Sequence, residues 1–305
     1  MKKVLLLAIA AMAAHATSFY LTLAGAPGEP DYEQRFAGWV SDFNKAVSTE
    51  AGAKVDSLVG KDATKAAIQA KLASIASQTK ADDTFVLLLI GHGSYDDIDY
   101  KFNIIGPDIS AAELSEALSK IPARQLIVDA TSASGGAIAT LRKDKRVVIT
   151  ATKNGSERNA TSFARFWVEA FRDPAADTDK NQILTALEAY RYASQKTKDS
   201  FVTQKRLATE HSMLEDTGKG SGENDPSAVN GQGMVASRLQ VLHMGAAAAA
   251  LSNPAKQAAL KRKDEIETAI EELKYRKSAM DQQTYDKQMR PLLLELTKVQ
   301  ATLDQ

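Results

Sequence analysis

Apolar residues follow two alternating rhythms along this chain. Ser18 to Ala26 is an aromatic and aliphatic run that ends in Ala26-Pro27-Gly28-Glu29-Pro30. It predicts a buried strand and then a turn rich in breakers. From Asp31 to Val47 the rhythm changes. Tyr32, Phe36, Trp39, Val40, Phe43 and Val47 recur at helical spacing, so this stretch predicts an amphipathic helix. Ala53 to Val59 predicts a short strand, and Lys61 to Gln78 a helix with Ile68, Leu72 and Ile75 on one face. Thr84 to Ile90 (TFVLLLI) is continuously apolar between polar flanks. Such runs suit a strand covered on both faces of a parallel sheet. Ser110 and Glu113 make a capping box for a helix reaching Leu118. Gln125–Ala130 and Arg146–Ala151 predict two more buried strands. Thr161–Phe171 and Ile183–Ser194 predict two more helices.

Strands alternating with helices predict an α/β fold, a mostly parallel sheet with helices on both faces. Ligands of such sheets sit beyond the carboxyl ends of the strands. Asp216 to Gly233 is dominated by Gly, Ser, Asn and Asp and reads as a loop or flexible linker. An alanine run at Ala246–Ala250 follows. Asn253-Pro254 then signals a helix start. Ala259, Ile266, Ile270, Leu273 and Met280 lie close to heptad spacing, and so do Tyr285, Met289, Leu292, Leu296, Val299 and Leu303. Two such runs predict an antiparallel helical hairpin, whose seam closes on itself, on the α/β domain or on a partner. Pro291 inside the second run should kink that helix or delay its start. The expected organisation is a leader at 1–16, an α/β domain at 17–225, a flexible linker at 226–252 and a hairpin at 253–305.

Composition narrows the function. The 305 residues carry 38 basic and 38 acidic side chains, a balance that argues against a nucleic-acid binder. There is no cysteine, so disulfides, thiolate metal sites and a cysteine nucleophile are all excluded. Lys2 and Lys3 precede an apolar run from Val4 to Ala14, and Ala14-His15-Ala16 offers small residues for signal peptidase. The expectation is cleavage after Ala16 and a secreted or periplasmic protein of bacterial type. No later stretch is long and apolar enough to span a bilayer.

Candidate chemistry follows two of the strands. Strand Thr84–Ile90 runs into Gly91-His92-Gly93-Ser94, where flanking glycines leave an imidazole uncovered for acid–base work. Strand Gln125–Ala130 runs into Thr131-Ser132-Ala133-Ser134-Gly135-Gly136, a tight small-residue loop with the makings of an oxyanion hole. A strand ending in His-Gly, followed by a strand ending in Asp-Ala-Cys-x-Ser-Gly, is the signature that this chain resembles. It belongs to the caspase-like cysteine peptidases, and in particular to the legumain branch of asparaginyl endopeptidases and its bacterial secreted members. The resemblance spans about residues 18–215. It includes GAPGEPDYEQRF, FNIIGPDIS and RVVITATKNGSERNATSFARFWVEAF. It implies a caspase-like fold, peptide or protein ligands and no required cofactor. It carries the catalytic histidine over to His92, with Gly93 and Gly135 as loop backbone.

The cysteine does not carry over. Counting back from Ser134-Gly135 it falls at Ser132, and counting forward from Asp129-Ala130 it falls at Thr131. A thiol ionises readily beside histidine, whereas a hydroxyl needs an ordered base and an orienting group. The leading expectation is therefore an exported, catalytically degenerate peptidase homologue that binds peptides or proteins. One alternative is an active Ser/Thr endopeptidase using His92 as base. Another is a calcium-stabilised envelope scaffold working through the hairpin. Asp129 reads as a strand-end structural residue, and His211 and His243 as surface or packing histidines.

The calcium idea comes from Asp177-Thr178-Asp179-Lys180-Asn181-Gln182-Ile183, which sets oxygen side chains at alternate positions, with Glu188 at the twelfth. Asp177, Asp179, Asn181, the Ile183 carbonyl and Glu188 match an EF-hand-like loop, except that Gln182 stands where glycine is wanted. The resemblance implies a structural ion.

Overall fold

The structure is a computed structural model that describes residues 16–227, 230–251, 253–277 and 280–303. The leader expected at 1–16 lies, but for Ala16, outside the described residues. In chain order the elements begin with β1 (Ser18–Ala24), α1 (Pro30–Val47), β2 (Lys54–Val59), α2 (Lys65–Gln78) and β3 (Thr84–Ile90). Next come the short strands β4 (Gly93–Tyr95), β5 (Tyr100–Phe102) and β6 (Ile109–Ser110), then α3 (Ala111–Ser119) and β7 (Arg124–Asp129). They are followed by α4 (Ile138–Leu141), β8 (Arg146–Thr150), α5 (Phe163–Ala170), β9 (Ile183–Thr185), α6 (Ala186–Thr203) and β10 (Met213–Glu215). The chain closes with β11 (Gln240–His243), α7 (Gly245–Leu251), α8 (Pro254–Arg276) and α9 (Gln282–Leu303).

Six strands form the main sheet in the order β10-β8-β7-β3-β1-β2. All pairings are parallel except that of the edge strand β10. The expected α/β architecture is present. Its centre is β3, hydrogen-bonded to β1 and β7 and buried at every residue. Side chains alternate across a strand, so the run TFVLLLI feeds two cores at once. Val86, Leu88 and Ile90 face one core with Phe36, Val40 and Phe43 of α1, Phe163 and Trp167 of α5, and Tyr190 of α6. Phe85, Leu87 and Leu89 face the other with Ile68 and Leu72 of α2 and Leu114 and Leu118 of α3. Each such side chain contributes about 1.5–3 kcal/mol on burial.

Two expectations need correction. Residues 183–185 form strand β9 and not the first turn of a helix. They pair antiparallel with β11, and α6 starts only at Ala186 behind a capping box of Thr185 and Glu188. The segment read as linker carries ordered elements, β11 and α7. Buried carboxylates organise the polar loop before them. Glu215 accepts the Gly218 and Gly220 amides, and Asp216 accepts those of Gly233, Val235 and Ala236. A Gly/Ser/Asn composition cannot reveal such centres, because their partners are backbone groups.

The hairpin seam closes largely on itself. Ile266, Ile270 and Leu273 of α8 pack with Met289 of α9, and Leu292, Leu296 and Val299 lie against them. Helix α9 starts at Gln282 and runs through Pro291, so the proline does not delay it. The hairpin also touches the α/β part, through Arg238–Glu272 at 3.0 Å, through Gln240 and Asp264, and through Lys263 Nζ on the Asn181 carbonyl at 3.3 Å. Among the described residues no helix is long and apolar enough to cross a membrane.

Strand β11 is fastened to the α/β core by two contacts, one from β1 and one from the turn between α1 and β2. Tyr20 donates its hydroxyl to the Val241 carbonyl at 2.8 Å. Glu50 meets both the amide and Nδ1 of His243, at 2.7 and 2.8 Å. Glu50→Ala leaves these His243 groups unpaired and is expected to cost about 1–3 kcal/mol. Hydrogen exchange should then quicken at residues 240–243 while residues 85–89 stay protected. Uniform loss of protection would reject a local clamp.

Candidate active site

Strands β3 and β7 run parallel and side by side, so their carboxyl ends deliver two loops to one place. His92 follows β3, and Thr131 and Ser132 follow β7. Gly93 shows how close the loops come. A Cβ there would stand 2.4 Å from the Ser132 carbonyl oxygen and 2.7 Å from Thr131 Oγ1. Only a glycine fits that gap without movement.

The two hydroxyls have separate surroundings. Thr131 is fully buried. Its Oγ1 lies 2.7 Å from Asp129 Oδ1, 2.7 Å from the Tyr100 hydroxyl and 3.1 Å from the Ser132 carbonyl. Ser132 turns instead toward the His loop. Its Oγ accepts the Gly93 amide at 3.1 Å and donates to the Gly93 carbonyl at 3.0 Å. It is 3% exposed. Neither hydroxyl is bonded to His92. The imidazole faces elsewhere: Nε2 lies 3.3 Å from the Pro27 carbonyl oxygen. Tyr32 and Phe36 of α1 meet its ring edge-on, with centroids 4.9 and 5.7 Å away.

Four amides of the glycine-rich loop are already paired. The Thr131 amide bonds Asp129, the Ala133 amide the Glu157 carbonyl, the Gly135 amide Thr152 Oγ1 and the Gly136 amide the Ala133 carbonyl. The turn itself is made by Ala133, at φ 57°, in the left-handed region where a side chain is strained. A hydrogen bond of 2.7 Å to Glu157 holds it there. Glu157 in turn carries His211 on its carboxylate, which also accepts the His211 amide at 3.1 Å. Thus His211 and His243 each pair with a glutamate, and neither belongs to the metal-ligand group described below.

Sequence spacing missed Tyr100, Pro27, Tyr32 and Glu157 as parts of this site. Three of them lie far from the two loops in sequence, and Tyr100 sits in a small sheet whose strands are too short to show periodicity.

The acidic loop forms as a compact group. Asp177, Asp179 and Glu188 have carboxylate oxygens within 4.8 Å of one another. Three hard oxygen donors so close fit a divalent cation. Asp177 accepts the Asn181 and Gln182 amides, and Asn181 Oδ1 accepts that of Ile183. Glu188 accepts from Thr178 and Thr185. Burial and the neighbouring Glu188 push Asp179 up to about 6. Gln182 adopts φ 67°, the left-handed conformation that glycine would favour at that position. Ile183 lies in β9, opposite His243.

The model of the Peptidase C13 family matches residues 27–222, which include both loops and the acidic group. The chain belongs to the Peptidase C13 family. A search of curated proteins found no match. Among solved structures, a Geobacter sulfurreducens protein is similar at 14% identity, over 66% of this chain and 93% of that one, with a TM-score of 0.47. The Drosophila initiator caspase Dronc is similar at 12% identity, over 68% of this chain and 81% of that one, with a TM-score of 0.41. These likenesses are distant, and the fold is read from the sheet order. Within this C13 chain the His92 loop and the 131–136 loop are adjacent, but no cysteine stands in either.

Burial drives the electrostatics of the β7 end. Asp129 is pushed from 3.8 up to about 6 by desolvation, which its bonds to Thr131 and Tyr100 only partly offset. Its Oδ2 is buried without a hydrogen-bond partner. Tyr100 is pushed well above the ordinary tyrosine value by burial and by the Asp129 charge. The folded chain therefore holds the Asp129 proton to higher pH than the unfolded chain does. Stability is expected to fall as pH rises from about 4 to 6, by roughly 3 kcal/mol. Asp129→Asn should remove this loss. Denaturant unfolding at pH 4 and pH 8 checks it: the variant should gain on the wild type by up to about 3 kcal/mol between the two. A constant difference would show that Asp129 does not titrate in this window.

Proposed function

We propose that this C13 family member is an exported peptidase homologue that has lost catalysis and binds peptides or proteins. One observation carries the reading. The hydroxyl nearest the histidine loop, Ser132 Oγ, both accepts from and donates to the Gly93 backbone, while His92 Nε2 faces Pro27. A serine nucleophile must give its proton to a base in hydrogen-bond reach. Here the proton is held by a carbonyl. The Gly93 amide, a donor that could stabilise an oxyanion, is bonded to that same hydroxyl. Thr131 is no better placed, because it is fully buried beneath Tyr100 and Ser132.

Export is supported by the Lys2-Lys3 start, the apolar run and the small residues at Ala14 and Ala16. The acidic group supports a structural calcium ion, held by Asp177, Asp179, Asn181, Glu188 and the Ile183 carbonyl. When bound, the ion would neutralise like charges at the start of α6.

Cleavage of a diverse fluorogenic peptide library by residues 17–305, with calcium present, tests the first part. The expected result is no turnover above that of His92→Ala. Turnover that disappears in His92→Ala would overturn the reading and favour a serine or threonine peptidase. Thermal unfolding tests the ion. Calcium at a hundred times its dissociation constant should stabilise the protein by about 2.7 kcal/mol. Asp179→Asn should abolish that gain. An equal gain in the variant would place the ion elsewhere.

A further inference from the structure

A buried carboxylate meets the chain just before β1. The Thr17 backbone nitrogen donates to Asp83 Oδ1 at 2.7 Å, across 66 residues of sequence. Asp83 Oδ2 accepts the Lys80 amide, also at 2.7 Å. Asp83 is 4% exposed, and no ion pair among the described residues includes it. Burying a carboxylate is costly unless a cation accompanies it. Here it meets two backbone amides instead. The backbone around it is tied down. The Thr17 carbonyl accepts the Thr84 amide at 3.0 Å, and the Asp83 carbonyl accepts the Arg124 amide at 2.9 Å. Thr17 is half-buried, whereas Ala16 is exposed. The bond at which the leader is expected to be cut thus joins an exposed residue to an anchored one.

We propose that removal of the leader turns this hydrogen bond into an ion pair: hydrolysis of the Ala16–Thr17 bond makes the Thr17 nitrogen an α-ammonium, and Asp83 is its built-in counter-ion. The proposal rests on the export reading, which supplies the peptidase. The step consumes one water. The C–N bond breaks, the water oxygen stays on Ala16 as part of a carboxylate, and both water protons end on the Thr17 nitrogen. A free α-amine is charged below about pH 7.7 even without a partner. A charge-assisted hydrogen bond is about twice as strong as a neutral one. Maturation therefore fastens β1 beside β3 more firmly than the uncut chain does.

Denaturant unfolding of two chains at about pH 6 tests this. Residues 17–305 begin with the free Thr17 amine, whereas residues 16–305 keep an amide at that nitrogen. The shorter chain should have an unfolding equilibrium constant about tenfold smaller. Asp83→Asn should bring the two constants together. Equal constants in the parent pair would overturn the proposal, and so would a ratio that survives Asp83→Asn. Should Asp83→Asn not fold, pH gives a second readout. The carboxylate raises the amine above its ordinary value. The ratio should therefore be complete below about pH 7.7 and vanish as pH rises through the folded amine's value. A ratio independent of pH would overturn the ion pair. Lys80 and Asp82 beside Asp83, Lys54 of β2 and Arg124 of β7 are the neighbouring charges. Both chains share them, so they cancel in the ratio. Mass spectrometry of the chain exported by a bacterial host separates the two readings. Thr17 is the expected first residue. A retained leader would sink the export reading, and any other first residue would sink the maturation step, whereas the unfolding ratio alone decides the ion pair.

Discussion

Everything at the candidate site depends on β3 and β7 being neighbours in a parallel pair. Residues 84–89 of one strand lie opposite residues 124–129 of the other, so both chains leave the sheet at the same level. Hydrophobic burial enforces this. Every residue of β3 is buried, and its side chains divide between two cores. A slip of one residue would exchange the two sets and misplace both loops. The register that buries Val86, Leu88 and Ile90 against α1 is thus the register that sets Gly93 against Ser132. Packing and site geometry are one constraint here.

Within that geometry the hydroxyl of Ser132 has structural consequences. A thiol is a weak hydrogen-bond donor and acceptor, and it ionises near neutral pH beside a cation. A hydroxyl is a strong donor and acceptor, and it stays protonated. Buried between two backbone groups, Ser132 does what such a hydroxyl does: it satisfies both. The Gly93 amide and carbonyl are paired, the two loops are joined, and the imidazole rests on an aromatic wall. The same bonds that make the loops cohere leave Ser132 Oγ and His92 Nε2 facing other partners. Tyr95 packs on Gly136, in the same loop, and on Gly155.

Much of this fold was legible. Continuous apolar runs announced β1, β3, β7 and β8, and helical spacing announced α1, α2, the capping box of α3 and the C-terminal hairpin. The His92 and Ser132 loops could be found because each follows such a run. What stayed hidden has a common physical cause. β9 and β11 are three and four residues long, and their pairing joins positions more than fifty residues apart. Glu215 and Asp216 read as polar loop residues because their partners are backbone amides, which carry no sequence signal. Tyr95 and Tyr100 lie in strands of three residues each, too short to show a periodicity. Their roles arise only when the small β4–β5–β6 sheet folds over the 131–136 loop. The orientation of His92 toward Pro27, and not toward a hydroxyl, lies likewise in tertiary contacts that spacing does not encode.

The acidic loop shows why a departure from a motif can be informative. Gln182 occupies the position where a cation loop favours glycine, and it holds φ 67° at a cost of about 1 kcal/mol or more. That strain is offset by a contact glycine cannot make. The Gln182 side-chain oxygen accepts the Ala246 amide at the start of α7, and its carbonyl accepts the Met244 amide at 2.8 Å. The preceding carbonyl, that of Asn181, receives Lys263 from α8. Two successive residues of the loop thus hold the C-terminal segment at three points. Their own amides are in turn held by Asp177. The carboxylate group, the left-handed glutamine and the hairpin form one continuous chain of hydrogen bonds. A cleft of about 1010 Å³ lies between them, lined by Asp179, Glu188, Lys263 and Leu296, away from His92 and Ser132. Any rearrangement of the acidic loop therefore reaches the hairpin before it reaches the His92 and Ser132 loops, whose register is fixed by the core.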